Sequence, residues 1–420
     1  MSLPDALAAS ILSDRQLRPE FEAICDCGGR LAGTPSERRA LGLVARLGEA
    51  ATGQPAMRIP TPYEGWSAQE AALHLLGDDE EVELACYPLL RSVPTPPRGI
   101  EAEVVAVGRG TEAEFAALAP ELAGRIALVR HEYMFAAGHL HRRLKYEWAK
   151  RAGAVGFLIA GPLPTRAVAG SSGRGHEDGI PALGISPEAA ARLARTATGH
   201  ARARIRIATE ERPETTETIL FDVPGGGPEI VVLSAHIDGH DPAESAIDNA
   251  SGVAVMLAVA RALAPHAGQF RRSLRVAIFS AEEWALTGSR IYLDTLPADE
   301  RGRMALNVNL DSVAGSPNLT ALCSGFPRVA ELVEAATREA GIPVGTFLPL
   351  MANSDHANFA AHGIPALRLV AGFDDPASHC RHVLTAADTR DKVAETELRA
   401  AAIAAAAVTW RALTSTDSLR

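Results

Sequence analysis

The sequence predicts an α/β protein in three layers, with a central mixed, mainly parallel sheet flanked by helices and a small inserted α+β domain. Short apolar runs of strand type alternate with helical periodicity throughout residues 211–420, which is the pattern of a sheet covered on both faces. The chain has 420 residues, enough for two or three domains. Hydrophobic residues make up 47% of it, which excludes a wholly disordered protein.

Two changes in composition predict the domain boundaries. Residues 94–99 (PTPPRG) form a stiff proline-rich joint, and residues 210–227 form a polar stretch that closes with three glycines. We therefore predict the N-terminal part of the main domain over residues 1–95. A small α+β module is expected over 96–210 and the rest of the main domain over 211–420.

Apolar periodicity predicts the individual elements. In the main domain it indicates strands at 230–235, 274–279, 305–310 and 364–370, and helices at 251–263, 327–340 and 398–413. In the inserted domain it indicates strands at 102–107, 126–129 and 155–159, and helices from about residue 144 and at 187–197. Near the N-terminus, Pro35 is typical of the first turn of a helix.

Charge and cysteine content exclude several functions. The chain has 41 basic and 51 acidic residues, a net charge of −10, so we expect no nucleic-acid or membrane partner. No apolar run reaches the ~18 residues of a membrane span, and the N-terminus lacks the basic region of a signal peptide. Five scattered cysteines do not make a disulfide framework, which favours a reducing, cytoplasmic location.

Imidazole and carboxylate side chains collect where the predicted strands of the main domain end. These residues are His236, Asp238, Asp248, Glu282, Glu283, Asp311, His379 and His382. Because ligands bind at the carboxyl ends of the strands in α/β sheets, we expect these side chains to share one edge. Several carboxylates in one cleft repel each other, and a divalent cation removes that conflict.

The donor set predicts the kind of metal centre. Histidine and carboxylate ligands without cysteine fit Zn²⁺, and also Mn²⁺ or Co²⁺, better than a structural thiolate site. Two ions about 3.5–4 Å apart need one bridging carboxylate and two terminal ligands each. The residues available supply those five ligands and leave one carboxylate as a base. The sequence therefore predicts two divalent ions per chain.

Five segments of the main domain resemble the co-catalytic zinc exopeptidases, a family that includes bacterial leucyl aminopeptidases, aminopeptidase Y and glutamate carboxypeptidase. The segments SAHIDGH, AIDNASGVA, FSAEEWALTGS, NVNLDSVAG and NSDHANFAAHGIPAL lie in the family order within residues 228–393. The resemblance implies the zinc-exopeptidase fold.

The resemblance also implies a role for each motif residue. His236 and Asp311 are expected to bind the first ion, Asp248 to bridge both ions and Glu283 to bind the second. Glu282 is expected to be the general base, and Asp238 to orient His236 from behind.

The last imidazole ligand departs from the family pattern Tyr-His-Thr-Pro-x-Asp-Thr. Here the segment reads SHCRHVLTAADT, so that the histidine is displaced relative to Asp388. We favour His382 as the ligand and keep His379 as the alternative. Arg381 stands where the tyrosine would precede the histidine, and either Arg381 or His356 is a candidate for the oxyanion or for a substrate carboxylate.

The middle segment, with WAKRAGAVGF between two strands, resembles the protease-associated domain that forms a lid in several of these peptidases. For His139, His141 and Arg142 of this domain, a solvated surface is favoured over substrate contact. In the main domain, we likewise expect His240, Asp241 and Glu244 to be solvated and not to bind metal.

These features predict an exopeptidase that cleaves short peptides by metal-activated water, with an aminopeptidase favoured. A carboxypeptidase is the second hypothesis, motivated by Arg368 and Arg381, and an amidohydrolase on a non-peptide amide is the third. An inactive peptide-binding module is the alternative of another class, and a glutaminyl-type cyclase is disfavoured. Ser251 and Ser280 lack the Gly-x-Ser-x-Gly setting of a nucleophile. A homo-oligomer is left open.

Overall fold

The structure, a computed structural model, describes residues 4–77, 80–175, 178–195 and 200–419. Its helices, in chain order, are α1 (Asp5–Leu12), α2 (Leu17–Cys25), α3 (Pro35–Thr52), α4 (Glu112–Leu122), α5 (Arg142–Arg151), α6 (Pro187–Ala194), α7 (Gly252–Leu263), α8 (Thr287–Thr295), α9 (Ala298–Arg303), α10 (Pro327–Glu339), α11 (His356–Ala361) and α12 (Glu395–Thr414). Its strands are β1 (Met57–Leu76), β2 (Glu81–Leu84), β3 (Cys86–Pro88), β4 (Ile100–Gly108), β5 (Ile126–Arg130), β6 (Gly156–Ala160), β7 (Ala182–Ile185), β8 (Arg202–Val223), β9 (Ile230–His236), β10 (Ser273–Phe279), β11 (Met304–Leu310), β12 (Leu319–Leu322), β13 (Val344–Phe347) and β14 (Ala366–Ala371).

The chain divides into two compact units. The first contains Met1–Tyr63, Glu214–Val383 and Asp388–Arg420, and the second contains Glu64–Pro213 and Leu384–Ala387. The second unit therefore begins at residue 64, where the sequence predicted a boundary after residue 95. The difference arises because β2 forms a hairpin with the end of β1, and β3 pairs with β7 inside the second unit.

The sheet of the first unit runs in the order β13-β12-β14-β11-β9-β10-β8. The pairs β14-β11, β11-β9 and β9-β10 are parallel, as is β12-β13, whereas β14-β12 and β10-β8 are antiparallel. The four central strands β9, β10, β11 and β14 are buried along nearly their whole length, as strands with helices on both faces must be. This mixed, mainly parallel sheet confirms the predicted fold class.

Helices cover both faces of this sheet. On one face α7 packs against α12, α3 and α2. On the other, Tyr292 of α8 and Phe359 of α11 join a buried cluster with Phe279 of β10. The continuous helical segment Ala246–Gln269 is apolar and long enough to cross a membrane, but 94% of its most apolar window is buried inside the protein. It is the core helix of the unit.

The second unit has its own sheet and core. Strands β4, β5, β6 and β7 are parallel and adjacent, β3 pairs antiparallel with β7, and the first half of β8 pairs antiparallel with β4. A buried cluster that includes Ile126, Leu158 and Leu183 fills the space below α6. The small α+β module expected from the sequence is present.

Strand β8 corrects the prediction of a polar joint over residues 210–227. It continues without a break from Arg202 to Val223, and only the glycine-rich end of that stretch lies outside it. The first half of β8 alternates between exposed and buried residues as far as Ala208, residues 210–213 are all exposed, and Ile219–Val223 pair with β10. Residues 209–218 contain no apolar side chain other than that of Pro213, so a search for apolar runs does not find the middle of the strand.

Candidate metal centre

The carboxyl ends of three neighbouring parallel strands carry the central side chains of the site. His236 is the last residue of β9, Asp311 directly follows β11, and Glu282 lies in the turn after β10. Ligand atoms of these three residues all lie within 4.8 Å of one another, and all three side chains are buried. The parallel register of β9, β10 and β11 therefore brings distant parts of the chain to one point.

His236 is the centre of this cluster. Its Nε2 lies 3.2 Å from Asp248 Oδ1 and 3.5 Å from Asp311 Oδ1. On the other side of the ring, Nδ1 lies 3.1 Å from the backbone oxygen of Asp238. Burial opposes protonation of the ring, but the negative charges around it, that of Glu282 foremost, raise the pKa of His236 well above its usual range.

Asp238 connects His236 to the turn that carries the two glutamates. Its Oδ1 lies 3.6 Å from His236 Nδ1 and accepts a hydrogen bond of 3.1 Å from the backbone N–H of Glu282. Its Oδ2 accepts a second bond of 3.1 Å from the N–H of Glu283. Asp238 therefore fixes both the imidazole and the backbone of the Glu282–Glu283 pair.

Hydrogen bonds to Glu37 also stabilise the turn that carries Glu282. Ser280 donates a hydrogen bond of 2.5 Å to Glu37 Oε1, which also accepts one from Thr216. The other oxygen of Glu37 accepts a bond of 2.7 Å from the N–H of Gly33. The sequence pattern around Arg30–Pro35 indicated only a helix start, and it gave no signal that Glu37 would reach this turn.

Asp248 lies in the short segment Ala246–Ser251 that precedes α7, where the backbone angles of Asp248 and Asn249 are not helical. The peptide bond between Asp248 and Asn249 is cis. The N–H groups of Ile247 and Asp248 donate to the two carboxylate oxygens of Asp388, at 2.7 and 3.2 Å. Asn249 bonds the carbonyl of Leu310, so the turn is tied to the end of β11.

Glu283 has a partner that the sequence analysis did not expect. Its Oε2 lies 2.7 Å from His240 Nε2. Only 6% of the His240 surface is exposed, so the expectation that His240 is solvated is wrong. A signal was present: in extended chain His236, Asp238 and His240 point to the same side because side chains alternate.

The two arginines near the predicted site have other roles. Arg368 is fully buried, and its Nη2 lies 3.1 Å from Asp311 Oδ2. It therefore neutralises a predicted metal ligand. Arg381 is exposed and donates to the backbone oxygen of Ala377.

His382 and His379 lie in one 3₁₀ turn, and their rings stack with centroids 5.6 Å apart. Partial burial, and then the positive charges of Arg381, His379 and Lys392, lower the pKa of His382 to about 4. The structure thus gathers His236, Asp248, Glu282 and Asp311 close together around one point. For His382, the role of a metal ligand stays a prediction.

The carboxylates of the cluster raise one another's pKa values. Burial, and then the charges of Asp311 and Glu283, raise the pKa of Asp248 to about 6. Burial also raises the pKa of Glu282 well above its usual range; His236 opposes that shift, and Glu283, Asp355 and Asp311 add to it. Asp248 therefore lies within electrostatic reach of both Asp311 and Glu283.

These side chains fit a divalent cation. His236 Nε2 and Asp248 Oδ1 are buried and face each other without a hydrogen bond. An imidazole nitrogen among carboxylate oxygens is the donor set that zinc takes in catalytic sites. Carboxylates that are costly to keep charged side by side become favourable ligands once a cation lies between them.

The chain is similar to known peptidases over much of its length. Residues 218–409 match peptidase family M28, and residues 100–193 match the PA domain. Aminopeptidase YwaD of Bacillus subtilis is 28% identical over 353 residues, which cover 82% of this chain and 72% of that protein. Leucine aminopeptidase 2 of Trichophyton equinum is 26% identical over 322 residues, and the chain spans 61% of its length.

A solved structure gives the same result for the fold. The aminopeptidase from Aneurinibacillus sp. strain AM-1 superimposes with a TM-score of 0.72 at 25% identity, covering 98% of this chain and 97% of its own. Residues 218–409 are thus similar to the M28 peptidases and residues 100–193 to the PA domain, which agrees with the resemblance drawn from the motifs. Fold, similarity and site together indicate a metal-dependent peptidase, a hydrolase as the sequence predicted.

Proposed function

We propose that the protein is a zinc-dependent aminopeptidase that acts on short peptides and holds two divalent ions. The observation that carries the proposal is the cluster of His236, Asp248, Glu282 and Asp311 at the carboxyl ends of β9, β10 and β11. It lies inside the part of the chain that matches peptidase family M28. The relatives described above are each an aminopeptidase by name, which supports cleavage at the N-terminal end of the peptide.

The arginines that motivated a carboxypeptidase argue against one. Arg368 has its guanidinium on Asp311 inside the protein, and Arg381 donates to its own turn. A substrate carboxylate would have to displace Asp311 from Arg368, which would leave a buried carboxylate without its counter-charge. The aminopeptidase needs no such exchange.

When bound, the two ions would activate a water and polarise the scissile carbonyl. His236 and Asp311 would hold one ion, Glu283 the other, and Asp248 would contact both. Glu282 accepts the proton of the attacking water and returns it to the departing amine. Its raised pKa suits both directions of transfer. Asp238 keeps Glu282 in place through the backbone N–H.

The test is the variant Glu282→Gln. The control is Glu331→Gln, since Glu331 is an exposed residue of α10. We expect kcat on leucine p-nitroanilide to fall by about 10²–10⁴-fold, the usual contribution of a general base. The bound metal should be unchanged, because Glu282 is not assigned as a ligand. Wild-type turnover in Glu282→Gln would show that the base is misassigned.

Blocked peptides test the choice of peptide end. Acetylation of the peptide N-terminus should abolish cleavage, and amidation of the C-terminus should leave it intact. The reverse result would identify a carboxypeptidase, and cleavage of both would point to an amidohydrolase of broader specificity.

We further propose that the protein works in a reducing compartment. All five cysteines are free, and four of them are buried. Alkylation at the moment of cell lysis, followed by mass spectrometry, should find five labelled thiols under denaturing conditions. A disulfide in that experiment would contradict the proposal.

A further inference from the structure

The loop that follows β9 carries a second imidazole close to the site. His240 lies four residues after His236, and its Nε2 is 2.7 Å from Glu283 Oε2. Both side chains are nearly buried, with 7% of His240 and 11% of Glu283 exposed. An imidazole and a carboxylate this close can both bind one zinc ion, whose bonds to them are about 2.0–2.2 Å long.

The backbone of His240 is held rigidly. The hydroxyl of Ser245 accepts a hydrogen bond of 3.0 Å from the His240 N–H and donates one of 3.2 Å to its carbonyl. A Cβ atom on Gly29 would lie 2.4 Å from the same carbonyl, so that a side chain there is excluded. This close packing fixes where the imidazole can point.

Arg30 clamps the same loop from inside the protein. It is fully buried, and its guanidinium donates to the carbonyls of Ile237, Glu244 and Ser245 at 2.6–2.8 Å. Three hydrogen bonds from one buried guanidinium hold the loop in a single conformation. Metal ligands need this support, because loosely held ligands bind weakly.

The segment that should supply the last imidazole has none at the matching place. In the pattern Tyr-His-Thr-Pro-x-Asp-Thr the histidine stands four residues before the aspartate, and four residues before Asp388 stands Leu384. Leu384 belongs to the second unit, where its carbonyl accepts a bond of 2.7 Å from Ala169. The nearby His382 is stacked on His379 and lies among the positive charges of Arg381 and Lys392, which repel a cation.

We propose that His240 replaces the missing imidazole and holds the second ion together with Glu283 and Asp248. Glu283 is already in contact with His240, and it is one of the charges that act on Asp248. This inference rests on the proposed function, since it assigns a ligand to one of the two ions proposed there.

The test is calorimetric titration of the chelator-stripped protein with Zn²⁺, in the full chain and in the variants His240→Ala and His382→Ala. His200→Ala, an exposed histidine of the second unit, is the matched control. We expect about two equivalents for the wild type, His382→Ala and His200→Ala. In His240→Ala the second equivalent should bind at least about 100-fold more weakly, more than the loss typical of a residue that only supports a ligand.

Further measurements distinguish a failure of the His240 assignment from a failure of the two-ion proposal. His240→Gln keeps the size and polarity of the side chain, and should lose the second equivalent while the metal-free protein unfolds at the wild-type temperature. Two equivalents in His240→Ala with affinities within about tenfold of wild type would overturn the inference, and so would loss of one in His382→Ala. Fewer than two equivalents in the wild type would instead refute the two-ion proposal itself.

Discussion

Asp311 is in contact with two cationic groups. Its Oδ1 faces His236 at 3.5 Å, and its Oδ2 faces Arg368 at 3.1 Å. Burial works against the charged carboxylate, but Arg368 and then His236 hold its pKa well below the usual range. Asp311 is therefore charged at any physiological pH, and Arg368 cancels part of the repulsion among the carboxylates.

The variant Arg368→Met tests this balance. It leaves Asp311 buried beside other carboxylates without its counter-charge, so we expect the metal-free protein to lose about 3 kcal/mol of unfolding free energy. Zn²⁺ should then raise the melting temperature more in the variant than in the wild type, because the ion takes over the neutralising role. Thermal unfolding with chelator and with Zn²⁺ measures both effects.

Arg381→Met is the control for that experiment, since Arg381 is exposed and bonds only its own turn in the described contacts. It should change neither melting temperature. If Zn²⁺ raises the melting temperature equally in Arg368→Met and in the wild type, Arg368 does not offset the carboxylate charge at the site.

At the scale of single residues, the sequence indicated those whose role depends on strand order. His236, Asp311 and Glu282 could be predicted because each follows an apolar run, and parallel strands end at one edge. Glu37 could not, because its position depends on a contact with Ser280 that no local pattern encodes. For His240, the alternation of side chains after β9 was a signal, but its contact with Glu283 was not visible in the sequence. The sequence likewise showed Arg368 near the site but not its ion pair with Asp311.

Among the elements, the turn between β10 and α8 is tightly constrained. Gly288 lies in the first turn of α8, and a Cβ atom there would lie 2.0 Å from the carbonyl oxygen of Ser280. Ser280 begins the turn that presents Glu282. Helix α8 can approach this turn only because residue 288 has no side chain.

Gly288→Ala should therefore be destabilising, by about 2–3 kcal/mol for an overpacked site, and should lower kcat by moving Glu282. Gly302→Ala is the matched control, because nothing lies within 4 Å of a Cβ atom there and the residue is in helix α9. The control should gain about 0.5–1 kcal/mol from helix propensity. Urea unfolding of both variants gives the comparison; equal stabilities would refute the packing argument.

The second unit contains an ion pair with a defined pH dependence. Lys145, whose side chain is fully buried, lies 2.7 Å from Glu132, which also accepts from Arg109 at 2.9 Å. Partial burial raises the pKa of Glu132, but these two hydrogen bonds outweigh it and lower the pKa to about 2. Because the folded-state pKa is depressed, the stabilisation is present above the unfolded value near 4.5 and is lost as pH falls towards 2.

Glu132→Gln should therefore cost about 2 kcal/mol of unfolding free energy at pH 7, the value of a hydrogen bond to a charged group. That difference from the wild type should shrink steadily between pH 4.5 and pH 3. Glu112→Gln, which removes an exposed ion pair with Arg151, should have little effect at either pH. If the difference in unfolding free energy between Glu132→Gln and the wild type did not change with pH, the depressed pKa of Glu132 would be contradicted.

Elements could be predicted from the sequence in proportion to how completely they are buried. Strands β9, β10, β11 and β14 lie within one or two residues of the predicted apolar runs. Strands β1 and β8 were missed because only alternate residues are buried along much of each. Their length also explains why the second unit begins at residue 64: β1 runs from Met57 to Leu76 across the boundary.

For the whole molecule, the described contacts place the clustered side chains of the candidate metal centre in the first unit. The clustered ligands, their support by Glu37 and Arg30, and the His240 loop all belong to that unit. The site therefore consists of two linked halves, one around His236 and Asp311 and one around Glu283 and His240. Asp248 is within electrostatic reach of both.

The most direct test of this account is the metal content of the full chain after removal of all metal, reconstitution with Zn²⁺ and desalting, measured by elemental mass spectrometry. We expect about two zinc ions per chain, and full aminopeptidase activity only when both are present. A chain that is fully active with one ion, or one that retains none, would refute the two-ion site.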